Sequence, residues 1–178
     1  PDPACLREVP EKPNRSKYPV LIGGHGAWWA EAEKKLETAG QTLGIPVFNI
    51  PYHQKLLGED CEAYMGLADV HQYHPSADAF ARSDLVIMVG ARLDNQMNFG
   101  NPPLFPRTTE LVCINGSHEE LELNRAADLS LLCDPGVFLD TLIDHESSKE
   151  YQLSKHWFEE NRAARSDWVT KMLNQANK

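Results

Sequence analysis

The stretch Pro19-Val20-Leu21-Ile22-Gly23-Gly24-His25-Gly26 decides the fold. A short, uniformly apolar run stopped by glycines reads as a strand buried on both faces. Residues Ala27 to Ala39 are rich in Ala, Glu, Lys and Leu and read as a helix. Gly40 and Gly44 punctuate its end. Ile45-Pro46-Val47-Phe48-Asn49-Ile50 reads as a second strand, with the proline near its start, where a lost donor matters least. Strand, glycine turn, helix and strand within about 30 residues have the size of a βαβ unit.

Further along, the stretch from Pro51 to Pro75 reads as irregular, and Ser76 to Arg82 as a short helix. Leu85-Val86-Ile87-Met88-Val89-Gly90 is a third buried strand, followed by a long loop from Ala91 to Arg107 that holds Gly100, Pro102, Pro103 and Pro106. Glu110 to Asn115 is a fourth strand, Glu119 to Asn124 a helical turn, Asp128 to Asp134 a fifth strand, and Val137 to Ile143 an apolar helix. Apolar strands alternating with helices predict an α/β domain whose parallel sheet is covered on both faces, with right-handed crossovers. Beyond Ser147, Tyr151, Leu153, Trp157, Phe158, Trp168, Val169, Met172 and Leu173 recur at helical spacing among charges, which predicts a helical extension with Ser166 as a cap for its last helix. In the opening stretch, Pro1, Pro3, Pro10, Pro13 and Pro19 interleaved with charges predict an extended linker before Tyr18. The expected division is therefore a linker over 1–17, a central domain over 18–146 and a helical extension over 147–178 that leads to a following domain. An opening linker suggests a piece of a longer polypeptide.

The chain has 178 residues, 17 basic and 26 acidic, for a formal net charge of −9. That excess of acid argues against nucleic acid, whose phosphates need clustered Lys and Arg. No apolar run approaches the roughly 20 residues of a membrane span, and there is no signal-peptide pattern. Cys5, Cys61, Cys113 and Cys133 form no C-x-x-C pair, which argues against a zinc ribbon or dithiol site and suggests a reduced, cytoplasmic setting.

In an open α/β sheet, ligands sit beyond the carboxyl ends of the strands. The residues following each strand therefore form one constellation: Gly23-Gly24-His25-Gly26, Ile50-Pro51-Tyr52, Arg92 with Asp94, Asn115-Gly116-Ser117, and Asp134. Glycines let a ligand approach the backbone, and a helix N-terminus offers N–H groups to a phosphate. Arg92 suits a pyrophosphate, while Asn115, Ser117 and Asp134 suit a ribose or adenine. The set suits a nucleotide, although a glycine turn also serves simply to pack strand and helix closely. The ordinary dinucleotide fingerprint is not met, because Trp29 stands where a small residue is needed and Asn49 where an acid is needed. A nicotinamide dehydrogenase is thus disfavoured, and no Walker-type loop occurs. His71 and His74 stand at a metal-like spacing, but Pro75 argues against helix there and favours a surface loop. Trp28 and Trp29 read as packing or interdomain residues, with a stacking platform as the alternative.

The ordered series Pro19 to Gly24, Leu43-Gly44-Ile45-Pro46-Val47, Gly66 and Ser83-Asp84-Leu85-Val86-Ile87-Met88-Val89-Gly90-Ala91-Arg92 resembles the central domain of thiamine-diphosphate-dependent enzymes of the acetolactate synthase group. Oxalyl-CoA decarboxylase, 2-hydroxyacyl-CoA lyase and cyclohexane-1,2-dione hydrolase look related, and Asn98-Phe99-Gly100-Asn101-Pro102-Pro103 is most similar to the acyl-CoA lyase and dione hydrolase members. The likeness spans residues 18–145. It implies a three-layer Rossmann-like (DHS-like) domain with a six-stranded parallel sheet, lying between pyrimidine- and pyrophosphate-binding domains of a homo-oligomer, dimer or tetramer. It implies FAD here, or alternatively ADP, coenzyme A or nothing, with thiamine diphosphate and Mg2+ held by the other domains. By motif position, the implied FAD contacts are Gly23, Gly24 and His25; Ile50, Pro51 and Tyr52; Met65, Gly66 and Leu67; Gly90, Arg92, Asp94 and Met97; Asn115 and Gly116; and Cys133 and Asp134. Two departures stand out. Asn115-Gly116-Ser117 replaces the family's Asp-Ile-Asp, and His25 replaces the third glycine of its triplet. No Gly-Asp-Gly diphosphate motif occurs, so catalysis is expected of a longer chain and not of this piece.

Overall fold

The computed structural model describes residues 8–51, 56–121, 123–145 and 155–177. Six parallel strands form one sheet in the order β3-β2-β1-β4-β5-β6. They are β1 (Pro19–Gly23), β2 (Val47–Asn49), β3 (Tyr64–Leu67), β4 (Leu85–Val89), β5 (Glu110–Asn115) and β6 (Leu129–Leu132). The helices are α1 (Lys12–Arg15), α2 (His25–Trp29), α3 (Glu33–Leu43), α4 (His74–Arg82), α5 (Pro135–Asp144) and α6 (Lys155–Ala176).

Strand alternation divides the core in two. Leu21, Val47, Ile87, Val89, Val112, Ile114 and Leu131 point to the face covered by α3 and α5, where Leu36, Leu43, Phe138, Leu139 and Leu142 meet them. Val20, Ile22, Phe48, Met65, Val86, Met88 and Cys113 point to the other face, against Ala79 and Phe80 of α4, Phe105, and Trp157 of α6. Each fully buried aliphatic side chain contributes about 1.5–3 kcal/mol relative to exposure. The sheet needs helices on both sides because both faces are apolar.

Several elements differ from the sequence reading. β3 falls inside the stretch expected to be irregular. Gly66 interrupts its apolar run at a φ of +111°, and a Cβ there would strike the Tyr73 ring, with Tyr73 Oη only 2.5 Å away. The helix expected after β1 is two helices. Glu31, at a φ of 50°, ends α2 and lets the chain turn into α3. Gly40 does not end α3; it lies in its interior, where a Cβ would meet Val47 Cγ2 at 2.5 Å and Ala63 Cβ at 2.7 Å, so its smallness seats α3 on the sheet. The left-handed cap is Gly44. Pro75 occupies the first turn of α4, where its missing N–H has no helical partner to lose, so His74 is helical after all. Ser166 lies within the continuous α6 and caps nothing. Residues 8–17 are not extended: Val9 and Pro10 are buried in a 3-10 turn that leads into α1. Tyr52, Tyr151 and Leu153 lie outside the described residues.

The base of the sheet, at the strand amino ends, is tied to the flanking chain. The Asp84 carboxylate accepts hydrogen bonds from the Ser16 hydroxyl and from the backbone N–H groups of Lys17 (2.8 Å) and Tyr18 (2.9 Å). Lys12 pairs with Glu110. Trp157 Nε1 donates to the Pro19 carbonyl at 3.0 Å.

Candidate functional site

The connections reverse direction between β1 and β4, and a crevice opens beyond the carboxyl ends of strands at such a point. Here the crevice is a cleft of about 720 Å3. Its walls come from five loops: His25, Gly26 and Trp29 after β1; Ile50 and Pro51 after β2; Gly90, Arg92, Asp94, Asn95 and Gln96 after β4; Asn115, Gly116, Ser117 and Glu120 after β5; and Asp134 with Pro135 after β6.

The glycines divide by what they do. Gly24, Gly26 and Gly90 bring two loops together: a Cβ on Gly24 would lie 2.3 Å from Gly90 O, and one on Gly90 2.2 Å from Ala27 N. Gly24 N donates to Val89 O at 3.0 Å and Gly26 N to Gly90 O at 2.9 Å, while Ala27 N and Trp28 N return to Gly24 O. The first turn of α2 therefore spends these N–H groups on the protein itself, and the expectation that they await a phosphate is corrected. Gly116 is the opposite case. A Cβ there meets nothing within 4 Å, so its space belongs to the cleft.

The polar side chains are oriented by their own loops. Asn115 is buried, and its Oδ1 accepts from Ser117 N at 3.1 Å. Asp94 Oδ1 accepts from Gln96 N at 3.1 Å. Asp134 caps α5 by accepting from Val137 N at 3.0 Å. Arg92 pairs with Glu120, its Nη1 lying 3.1 and 3.2 Å from the two carboxylate oxygens. Trp29 stands at the end of α2, 77% exposed, in edge-to-face contact with Trp28.

Of the expected contacts, His25, Ile50, Pro51, Gly90, Arg92, Asp94, Asn115, Gly116 and Asp134 line the cleft, and Gly24 packs against Gly90 and Ala91, which line it. Others do not line it. Gly23 faces Leu36 and Leu56. Met65 and Met97 are buried in the core beside Tyr73 and Phe105. Gly66 packs on Tyr73, whose hydroxyl donates to Met65 O at 2.6 Å and is pushed to a higher pKa by burial. Leu67 is exposed away from the cleft. The Cys133 thiol is buried against Asp134 O, and burial pushes its pKa up. The loop after β3 acts one step removed, since Val70 N donates to Gln96 O at 2.9 Å and His71 Nε2 lies 2.8 Å from Asn95 O. Asn95, Gln96 and Glu120 were missed. Reading as far as seven residues past β4 and five past β5 would have reached them. His74 stacks near Trp168, and no group of three or more metal-ligating side chains occurs among the described residues.

Residues 7–142 match the family described as thiamine pyrophosphate enzyme, central domain. The chain belongs to that family. Relatives of this central domain include 2-hydroxyacyl-CoA lyase of Arabidopsis thaliana, 27% identical over 62% of this chain and 18% of that enzyme. Acetolactate synthase of Mycobacterium avium is 24% identical over 78% of this chain and 22% of its own length. Pyruvate oxidase of Lactiplantibacillus plantarum is 25% identical over 94% of this chain and 26% of its own length. The thiamine diphosphate-dependent 4-hydroxybenzoylformate decarboxylase of Rhodococcus jostii shares the fold, with a TM-score of 0.68 at 16% identity over 86% of this chain and 28% of that one. The central domain thus spans about a fifth to a quarter of the curated relatives it matches.

Proposed function

We propose that this domain holds a nucleotide, FAD, inside a larger thiamine-diphosphate-dependent enzyme that cleaves or forms a carbon–carbon bond next to a carbonyl. The flanking pyrimidine- and pyrophosphate-binding domains would carry the thiamine diphosphate, Mg2+ and the substrate. The carrying observation is the cleft at the reversal between β1 and β4, with the cation of Arg92 at one wall and the open space over Gly116 at another. The residues present fit the group. Arg92 and His25 would face its phosphates, the Asn115 amide and Ser117 hydroxyl its ribose or adenine, and Ile50 and Pro51 its apolar surfaces. Carbon–carbon chemistry of this class needs no net redox, so the flavin would shape and order the site.

A second reading is a domain that joins its neighbours and holds nothing. The N–H groups of α2 already turned inward favour it, as does the Arg92–Glu120 pair. An absorbance spectrum of the full-length enzyme, purified without added cofactor and followed by release of bound nucleotide, separates the two. A flavin band supports the first reading. A colourless protein that releases ADP or coenzyme A moves the site to that ligand. A colourless protein that releases nothing leaves the joining domain.

A further inference from the structure

Trp29 is a large apolar side chain left mostly in water at the edge of a polar cleft. Leaving an indole exposed forgoes the burial that favours folding, and nothing in the local sequence forces it outward. Trp28, one residue earlier, is half-buried against the core of α3 and α5. The backbone fixes Trp29 where it stands. Ala30 N donates to Gly26 O at 3.1 Å, Glu31 N to Trp28 O at 2.9 Å and Ala32 N to Ala27 O at 2.9 Å. Glu31 then adopts a left-handed φ of 50°, uncommon for a residue other than glycine, and ends the helix there. With α2 stopped, no further turn covers the indole. The Trp28 ring braces it from one side, at 4.7 Å between centroids and 69° between planes.

Around this braced ring the cleft supplies hydrogen-bonding groups from Asn115, Ser117, Asn95 and Gln96 and a cation from Arg92. Trp29 is the one Phe, Tyr or Trp among its described lining residues, the other ring being the smaller imidazole of His25. A site with polar and apolar walls, the Arg92 cation and one held indole matches a ligand with a charged part and a flat aromatic part. Resting on the nucleotide reading above, we infer that Trp29 is the stacking platform for the ligand's planar heterocycle and a determinant of which nucleotide is kept. Stacking needs only a π-face, so phenylalanine preserves it in part and alanine removes it.

The test uses the full-length enzyme stripped of nucleotide and titrated with FAD, as wild type, Trp29→Phe and Trp29→Ala. Base–aromatic stacking is lost on alanine substitution at a cost corresponding to about five- to hundredfold in affinity. Trp29→Ala is expected to show that loss, and Trp29→Phe to stay within a few-fold of wild type. Bound flavin in Trp29→Ala should also fluoresce more brightly, because a stacked indole quenches it. Thermal midpoints should match across the three proteins, since the side chain is exposed. Equal FAD affinity in wild type and Trp29→Ala would overturn the platform while leaving the nucleotide reading intact. A lowered midpoint in Trp29→Ala with unchanged flavin fluorescence would also overturn it, and would identify an interdomain packing residue. A wild-type enzyme that takes up no FAD, ADP or coenzyme A would overturn both.

Discussion

The Arg92 guanidinium reaches from the loop after β4 to the Glu120 carboxylate in the loop after β5, with Nη1 3.1 and 3.2 Å from its two oxygens. Both side chains line the cleft beside the Asp94 and Asp134 carboxylates, so the pair is part of the charge a ligand meets. An anionic ligand must share Arg92 with Glu120 or displace it. Half-exposed pairs of this kind contribute only about 0.2–1 kcal/mol, so a phosphate that bonds Arg92 directly wins. Replacing Arg92 by Ala should weaken nucleotide binding by about 1.5–3 kcal/mol. Glu120→Gln should strengthen it several-fold by removing a negative charge. Titration of the stripped full-length enzyme reads both, and unchanged affinity in Arg92→Ala would remove that residue from the site.

Gly90 and Gly116 should respond in opposite ways. Gly90→Ala places a Cβ 2.2 Å from Ala27 N at a φ of +61°, which combines overpacking with backbone strain and should cost about 2–4 kcal/mol. A lowered denaturant midpoint is the readout. Gly116→Leu meets open space and should leave stability within about 0.5 kcal/mol of wild type. It should nonetheless lower nucleotide affinity at least tenfold, because the side chain enters the cleft.

Trp157 fastens α6 to the sheet through its bond to the Pro19 carbonyl and through near-total burial. Trp157→Phe should cost about 1 kcal/mol for the lost hydrogen bond, and Trp157→Ala about 3–5 kcal/mol for the cavity. Amide hydrogen exchange should speed up in α6 and β1 before it does in β5.

The Arg82 guanidinium holds the Glu160 carboxyl below its usual pKa. A carboxylate with a depressed folded-state pKa stabilises fully above its unfolded value, and the contribution fades as pH falls through the folded one. The pair is partly exposed, so its effect stays within about 1 kcal/mol. Acidification below the ordinary carboxylate range should therefore loosen α6, and Glu160→Gln should abolish that part of the pH dependence. An identical acid profile in the variant would assign the loosening elsewhere.

The sheet centre was legible because Val20-Leu21-Ile22, Leu85 to Val89 and Leu111 to Ile114 are unbroken apolar runs, the last two leading straight into Gly90 and Asn115 at the cleft. β3 was not legible from periodicity, since Gly66 breaks a strand only four residues long; the six-stranded count came from the family resemblance. Gly40 was misread because a glycine that thins a helix for packing looks in sequence like one that stops it. The loop ends were found by strand logic. The partners they chose could not be, since Arg92 meets Glu120 across 28 positions and Val70 meets Gln96 across 26, which only the folded chain brings together. Composition also misjudged residues 8–17, where a proline-rich segment folds because Val9 finds a place in the core.

The tethers of residues 12–18 and of Trp157 fall at the amino ends of the strands, while Trp168 of α6 rests on Tyr73 and His74 beyond the carboxyl end of β3. Ser16, Lys17 and Tyr18 are gathered by Asp84 at the start of β4, Lys12 by Glu110 at the start of β5, and Trp157 by Pro19 at the start of β1. Mechanical load entering through the amino-terminal segment is therefore taken up at the feet of β1, β4 and β5. Load on α6 has a second route beside Trp157: Trp168 presses on Tyr73 and His74, at the end of the loop whose Val70 and His71 bond Gln96 and Asn95 at the rim, so pulling on α6 would reach the ligand's grip while pulling on the amino-terminal segment would not.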